Sequence, residues 1–235
     1  MTKIQDRPTL SVLIPVYNEC KTVEELIGKV LAAAPSDKEL IVVDDCSTDG
    51  TRQILEGLSR KHGFKLILNE KNSGKGACLI KALSFATGDI AVPQDADLEL
   101  DPADYVKLME PITKGEAGVV FGSRLMHIRK GEYILRTLFV NMLFVHLINL
   151  FYGGRYTDIM TCYKMCRTEV LRGLNLCSER FGIEPEISCK VLKKGHKVVE
   201  VPISYYPRDW KHGKKIKWTD TFTILNIIIK YRFRD

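Results

Sequence analysis

The chain alternates short apolar runs with helix-patterned segments, and three of the apolar runs lead into polar clusters. Leu10 to Val16 leads into Tyr17-Asn18-Glu19, Leu40 to Val43 into Asp44-Asp45, and Ile90 to Val92 towards Gln94-Asp95-Ala96-Asp97. Between them, Thr22 to Ala34 has helical spacing and stops at Pro35. Ser47-Thr48-Asp49-Gly50-Thr51 reads as a turn and cap before a helix through Leu58. Phe64 to Leu68 reads as a strand, Lys75 to Ala86 as a helix, and Val119 to Phe121 as a further strand. Repeated strand–helix alternation predicts an α/β fold, a mostly parallel central sheet with helices on both faces. Ligands of such sheets bind outside the carboxyl ends of the strands. The three polar clusters are therefore expected to meet in one crevice.

The second half has a different texture. Tyr133 to Tyr152 is dominated by apolar residues and runs into Gly153-Gly154. Glu186 to Lys194 reads as a short helix closed by Gly195, and Val198 to Tyr206 as a strand interrupted by Pro202. Thr221 to Tyr231 reads as an apolar helix flanked by Lys230, Arg232 and Arg234. There is no internal repeat, and 235 residues suffice for one sizeable core.

The formal net charge of +6 suits anionic ligands or an anionic membrane surface and does not call for nucleic acid. Seven cysteines without a Cys-x-x-Cys pair read as reduced thiols rather than disulfides or zinc ligands. Met1 to Pro8 has no apolar signal core. Together these give a cytoplasmic expectation.

Asp95 and Asp97 carry the sharpest chemistry. Carboxylates two residues apart on extended backbone point the same way and repel. A divalent cation removes that repulsion, and hard oxygen ligands suit Mg²⁺ or Mn²⁺. Such a cation also stabilises a diphosphate leaving group. An acidic turn capping the helix after Asp101-Pro102 is the plainer reading. Asp44 and Asp45 suit ribose hydroxyls or base edges, or else cap the following helix. Lys75, within Asn72-Ser73-Gly74-Lys75-Gly76 at a helix start, suits an anion, although a solvated lysine reads equally well and the segment is not a Walker loop.

These segments together resemble family 2 glycosyltransferases of the GT-A fold: Ser11 to Glu19, Val43-Asp44-Asp45 with Asp49-Gly50-Thr51, Gly74-Lys75-Gly76-Ala77, and Asp95-Ala96-Asp97. Further along, Phe121-Gly122-Ser123-Arg124, the Asp158 to Lys164 stretch, Glu184-Pro185-Glu186, and Glu200 to Ser204 followed by Arg208 and Gly213-Lys214-Lys215 resemble the polyprenyl-phosphate sugar synthases, including the dolichyl-phosphate mannose synthase group. The resemblance implies a Rossmann-like single domain over 1–235. Residues 9–125 would form the nucleotide-sugar half and 126–215 the acceptor half, with an apolar helix over 133–152 and an amphipathic helix within 216–235.

The implied reaction moves a hexose from GDP- or UDP-hexose onto a dolichyl or undecaprenyl phosphate with inversion. The implied nucleotide-binding set is Pro15, Tyr17, Asn18, Glu19, Asp44, Asp45, Lys75, Asp95 and Ala96. Asp97 and Glu99 would hold Mg²⁺ or Mn²⁺, although the family often has Gln where Glu99 stands. Arg124 and Arg136 would take the acceptor phosphate. Arg208, with Lys214 or Lys215, would close over both phosphates, and Asp95, Asp97, Arg124, Arg136 and Arg208 form the implied catalytic set. Val140 replaces a Ser usual in the mannose synthases, and the spacing from Arg208 to Gly213 is longer than theirs. Sugar and acceptor therefore stay open.

A phosphate monoester is already ionised near pH 7 and attacks without a base, so its enzyme needs positioning cations. A hydroxyl acceptor needs a base. Glu184 and Glu186 are candidates on the acceptor side, or else carboxylates complementing a helix N-terminus. The alternatives are thus a related transferase acting on a glycan or small-molecule hydroxyl, and a non-catalytic nucleotide-sugar-binding subunit. Arg136, Asn141, His146 and Asn149 interrupt the apolar helix, which reads as an interfacial or docking helix rather than a span, with Phe139 and Phe144 taken as outward-facing. A core helix is the rival reading. The protein is expected to sit peripherally on the cytoplasmic face of a membrane, alone or held by a separate membrane-anchoring subunit.

Overall fold

A computed structural model of the chain describes residues 9–126, 135–208 and 220–233. Seven strands form one sheet: β1 (Leu10–Val16), β2 (Lys38–Asp44), β3 (Lys65–Leu68), β4 (Ile90–Pro93), β5 (Val119–Ser123), β6 (Lys164–Arg167) and β7 (Val198–Pro202). Their spatial order is β3-β2-β1-β4-β6-β5-β7. β1 pairs in parallel with β2 and β4, β2 with β3, and β5 with β7. β6 alone runs antiparallel, against both β4 and β5.

Both faces are covered, which explains why the strands read as apolar runs rather than alternating ones. On one face Leu13, Ile41, Val43, Val119 and Phe121 pack under α3 (Lys75–Phe85), α5 (Leu135–Tyr152), α7 (Ile183–Lys193) and α8 (Asp220–Phe233). On the other, Val12, Ile14, Leu40, Val42 and Val120 pack against α1 (Val23–Ala32), α2 (Thr51–His62) and α4 (Tyr105–Thr113). Odd and even residues of one strand thus serve opposite layers. Each fully buried aliphatic or aromatic side chain contributes about 1.5–3 kcal/mol by leaving water.

The sequence reading misses β6 and the short α6 (Thr168–Gly173), and gives the helix after Asp101-Pro102, which is α4, no bounds. β6 carries Lys164 and Arg167, which mask a strand pattern, and α4 has Pro111 within its last turns. Helix α7 starts three residues before the expected Glu186, because Pro185 fits its first turn.

Helix α5 is core on one side and exposed on the other. Phe144 and Ile148 are buried, whereas Phe139 is 71% exposed and Met142 and Leu150 are also exposed. The outward placement expected for Phe144 is therefore corrected, since that ring joins the core beneath α7 and α8. Among the described residues no helix is long and apolar enough to cross a membrane.

Candidate active site

The carboxyl ends of neighbouring β1 and β4 open onto a cavity of about 310 Å³. Pro15, Tyr17 and Glu19 enter it from the end of β1, and Asp95, Ala96, Asp97 and Glu99 from the loop after β4. Lys75, Arg124, Glu184 and Arg208 add further charged groups to its lining. Gln94 fixes the start of the acidic loop: its side-chain oxygen accepts bonds from the buried Tyr105 and Tyr163 hydroxyls, each at 2.6 Å.

Lys75 bridges two elements. Its ammonium lies 2.7 Å from Asp95 and 2.5 Å from Glu184. Burial pulls its pKa down, but Asp95, Cys162 and Glu184 outweigh that and hold it well above the ordinary lysine range. The flanking glycines explain its placement. A Cβ on Gly74, whose φ is +91°, would lie 2.6 Å from the Glu179 carbonyl oxygen, and one on Gly76 would collide with the Ser178 carbonyl. Only a bare backbone lets the start of α3 lie against the 178–180 loop.

Arg208 sits among carboxylates. It reaches Glu19 at 3.2 Å and Asp97 at 3.1 Å, with Glu99 at 4.0 Å. Burial, with Asp95 and Glu99 nearby, lifts the Asp97 carboxyl to about 7 against the pull of Arg208. Excess negative charge at this spot is what a cation would relieve. The donor set is all hard oxygen, which suits Mg²⁺ or Mn²⁺. No group of three or more His, Cys, Asp or Glu is gathered closely enough to cage a metal among the described residues. One or two carboxylates plus phosphate oxygens is the usual Mg²⁺ arrangement, so Asp97 and Glu99 fit that role.

Arg124, after β5, forms a two-pronged pair with the buried Asp158 at 2.7 and 2.9 Å. Its guanidinium also lies 5.2 Å from the centre of the Tyr205 ring. The side chain of Arg136, and all of Lys214 and Lys215, lie outside the described residues.

Several expected site residues have other partners. Asp44 is fully buried, pairs with Arg52 at 2.7 Å, and is not among the cavity-lining residues. Asn18, at φ +52°, accepts the Thr48 N–H and ties the β1 loop to the β2 loop. Asp45 lines the cavity, but its oxygens accept the Ser73 and Gly74 N–H groups at 2.8 and 2.7 Å. Glu186 is corrected most clearly. It is fully buried and accepts the Cys177 and Ser178 N–H groups, with Lys190 at 2.6 Å and the Tyr231 hydroxyl at 2.8 Å. Its partners come from the 177–178 loop, α7 and α8, not from the cavity.

Met160, Cys162, Arg180, Phe181 and Tyr205 also line the cavity and were not expected. Apart from Tyr205, in the segment read as a strand from Val198 to Tyr206, they lie in segments without periodicity. Arg180 follows two residues of a loop that contacts Gly74 and Gly76, and that contact has no sequence signal.

An acidic strand end on a doubly wound sheet with this strand order defines the GT-A class of glycosyltransferase fold. The chain belongs to Glycosyl transferase family 2, whose profile matches residues 11–174. Among curated relatives, the dolichol-phosphate mannosyltransferase of Pyrococcus furiosus is 34% identical over 225 residues, covering 94% of this chain and 63% of the relative. The undecaprenyl-phosphate 4-deoxy-4-formamido-L-arabinose transferase of an Enterobacter species is 26% identical, covering 91% and 64%. The chain thus spans somewhat under two thirds of the length of these relatives. Among solved structures, glucosyl-3-phosphoglycerate synthase from Mycobacterium tuberculosis, in complex with Mn²⁺, UDP and phosphoglyceric acid, superposes with a TM-score of 0.71 at 21% identity, covering 97% of this chain and 80% of that one. That likeness bears on the fold.

Proposed function

We propose that this protein transfers a hexose from a nucleoside-diphosphate sugar to the phosphate of a polyprenyl lipid, with inversion, at a membrane surface. The observation that carries this reading is one cavity lined by both an acidic strand end and separate cations. Asp95, Asp97 and Glu99 supply the acids, and Arg124 is among the cations. Reactions between two phosphate-bearing substrates need cations at both, and planar guanidinium suits phosphate oxygens. The relatives named for dolichol and undecaprenyl phosphate support the lipid acceptor.

Asp97 and Glu99 would hold Mg²⁺ or Mn²⁺, which when bound supplies charge neutralisation to the departing diphosphate. Pro15, Tyr17 and Glu19 line the region assigned to the nucleoside, and Lys75 positions Asp95 beside the donor. Arg124, braced by Asp158, orients the attacking phosphate. That phosphate is ionised near neutrality and requires no base. A hydroxyl acceptor would require one, yet Glu184 is engaged by Lys75 and Glu186 by backbone N–H groups. The membrane reading is supported by exposed Phe139, Met142 and Leu150 on α5 and Phe222 and Phe233 on α8. All seven cysteines are free thiols, which suits a cytoplasmic face.

The test is a panel of GDP- and UDP-hexoses with a short polyprenyl phosphate, read by mass spectrometry. A lipid-phosphate hexose is the expected product. Transfer only to hydroxyl acceptors would refute the reading.

A further inference from the structure

The loop before α7 is tethered to three elements. Glu186 of α7, fully buried, accepts the Cys177 and Ser178 N–H groups at 3.0 and 2.7 Å. The Glu179 carbonyl accepts the Ala77 N–H at 2.9 Å, which docks the loop on the start of α3. A side chain on Gly182 would collide with Ile227, so the loop also closes against α8. Burying a carboxylate is unfavourable unless it is paired and hydrogen-bonded. Glu186 meets that condition by gripping this loop.

What the loop presents to the cavity is Arg180, with Phe181 beside it. The Arg180 Cγ lies 2.8 Å from where a Cβ on Gly74 would stand, so the methylene stem rests on bare backbone. The residue as a whole stays exposed. Ordering a long side chain normally subtracts from binding, and a stem already packed reduces that loss. Lys75 is held by Asp95 and Glu184, Arg124 by Asp158, and Arg208 by Glu19 and Asp97. The Arg180 guanidinium, in contrast, makes no hydrogen bond or ion pair among the described residues. A phosphate that reaches it displaces solvent and competes with no protein carboxylate.

We propose that Arg180 is a substrate-binding residue whose guanidinium takes phosphate oxygens in the cavity. Its planar fork suits two such oxygens at once. The inference rests on the reading that the cavity takes phosphate-bearing substrates. The phosphate comes from the nucleoside diphosphate or from the lipid, and the same chemistry serves both.

Calorimetry on wild type, Arg180→Gln and Arg180→Lys tests this, with UDP or GDP in Mn²⁺ as one probe and a short polyprenyl phosphate as the other. Arg180→Gln keeps part of the stem and removes the charge. As an exposed change it should melt within about a degree or two of wild type. It should nevertheless bind at least one probe roughly tenfold to a hundredfold more weakly, the scale of a hydrogen bond to a charged group. The probe that weakens identifies whose phosphate Arg180 holds. Arg180→Lys, a point charge without the fork, should recover part of the loss. Wild-type binding of both probes by Arg180→Gln overturns the proposal and leaves a solvated arginine at the cavity rim. A loss of binding that comes with a large fall in melting temperature also overturns it, since the side chain then acts by holding the loop. A wild type that binds nucleotide but no lipid phosphate defeats the acceptor reading alone, and Arg180 then stands or falls on the nucleotide probe.

Discussion

Arg124 and Asp158 meet through two parallel contacts, Nε to Oδ2 at 2.7 Å and Nη2 to Oδ1 at 2.9 Å. Burial raises the Asp158 pKa, but Arg124 outweighs it and holds the carboxyl below its ordinary value. Its stabilising share is therefore complete above the unfolded carboxylate pKa of about 4 and is lost as pH falls through the lower folded value. Asp158→Asn should cost about 3 kcal/mol at pH 7, because it strands a guanidinium. Urea unfolding at pH 7 and again at about pH 3, below the unfolded carboxylate pKa, should show the gap narrowing. An equal gap at both would mean the pair is not the source.

The carboxylates around Arg208 give a second expectation. Removing this side chain leaves Glu19, Asp97 and Glu99 without their shared cation. Arg208→Ala in EDTA should lose about 1–2 kcal/mol, a fall of several degrees in Tm for a chain of this size. Mn²⁺ should recover most of that loss by taking up the vacated charge. If thermal scans show no recovery, Asp97 and Glu99 do not hold a cation.

Gly76 tests the seam between the start of α3 and the 178–180 loop. A methyl group there meets the Ser178 carbonyl. Gly76→Ala should destabilise by about 1–3 kcal/mol through overpacking and weaken nucleotide-diphosphate binding by displacing Lys75. Gly57, with open space around it, is the control, and Gly57→Ala should do neither. Equal behaviour of the two variants would rule out the seam.

The two sides of α5 separate membrane contact from folding. Phe139 and Met142 are exposed, while Phe144 is 1% exposed. Phe139→Asp with Met142→Asp should reduce co-sedimentation with anionic liposomes and leave Tm within about a degree or two, as surface changes do. Phe144→Asp should unfold the protein, since it places a charge in the core. Undiminished sedimentation of the double variant would remove α5 from the membrane contact.

Much of this was legible in the sequence. The strands β1, β2 and β4, and the meeting of Glu19, Asp95 and Asp97 in one cavity, follow from apolar runs that lead into acid clusters. What stayed hidden depended on distance along the chain. Nothing around Lys164 announces a strand, because its pairing partners in β5 lie some forty residues earlier. Asp44 and Asp45 look alike as neighbours in sequence, yet one turns to Arg52 and the other to the loop before α3. Glu186 differs from Glu184 by two positions on a helix, enough to turn it from the cavity towards Tyr231. Alternating directions are easy to state and hard to assign until the neighbours are known.

β6 has a consequence for how such proteins can change over time. It comes from the later part of the chain yet lies between β4 and β5, both from the earlier part. Splicing two relatives near residue 125 would therefore swap a central strand along with the later loops, and every cross-strand contact of β6 would have to match a foreign neighbour. The later part of the chain is therefore not a separable module, since it supplies a strand to the middle of the sheet. Loops such as the one carrying Arg180 and Phe181 can vary around the cavity, while the sheet descends as one piece.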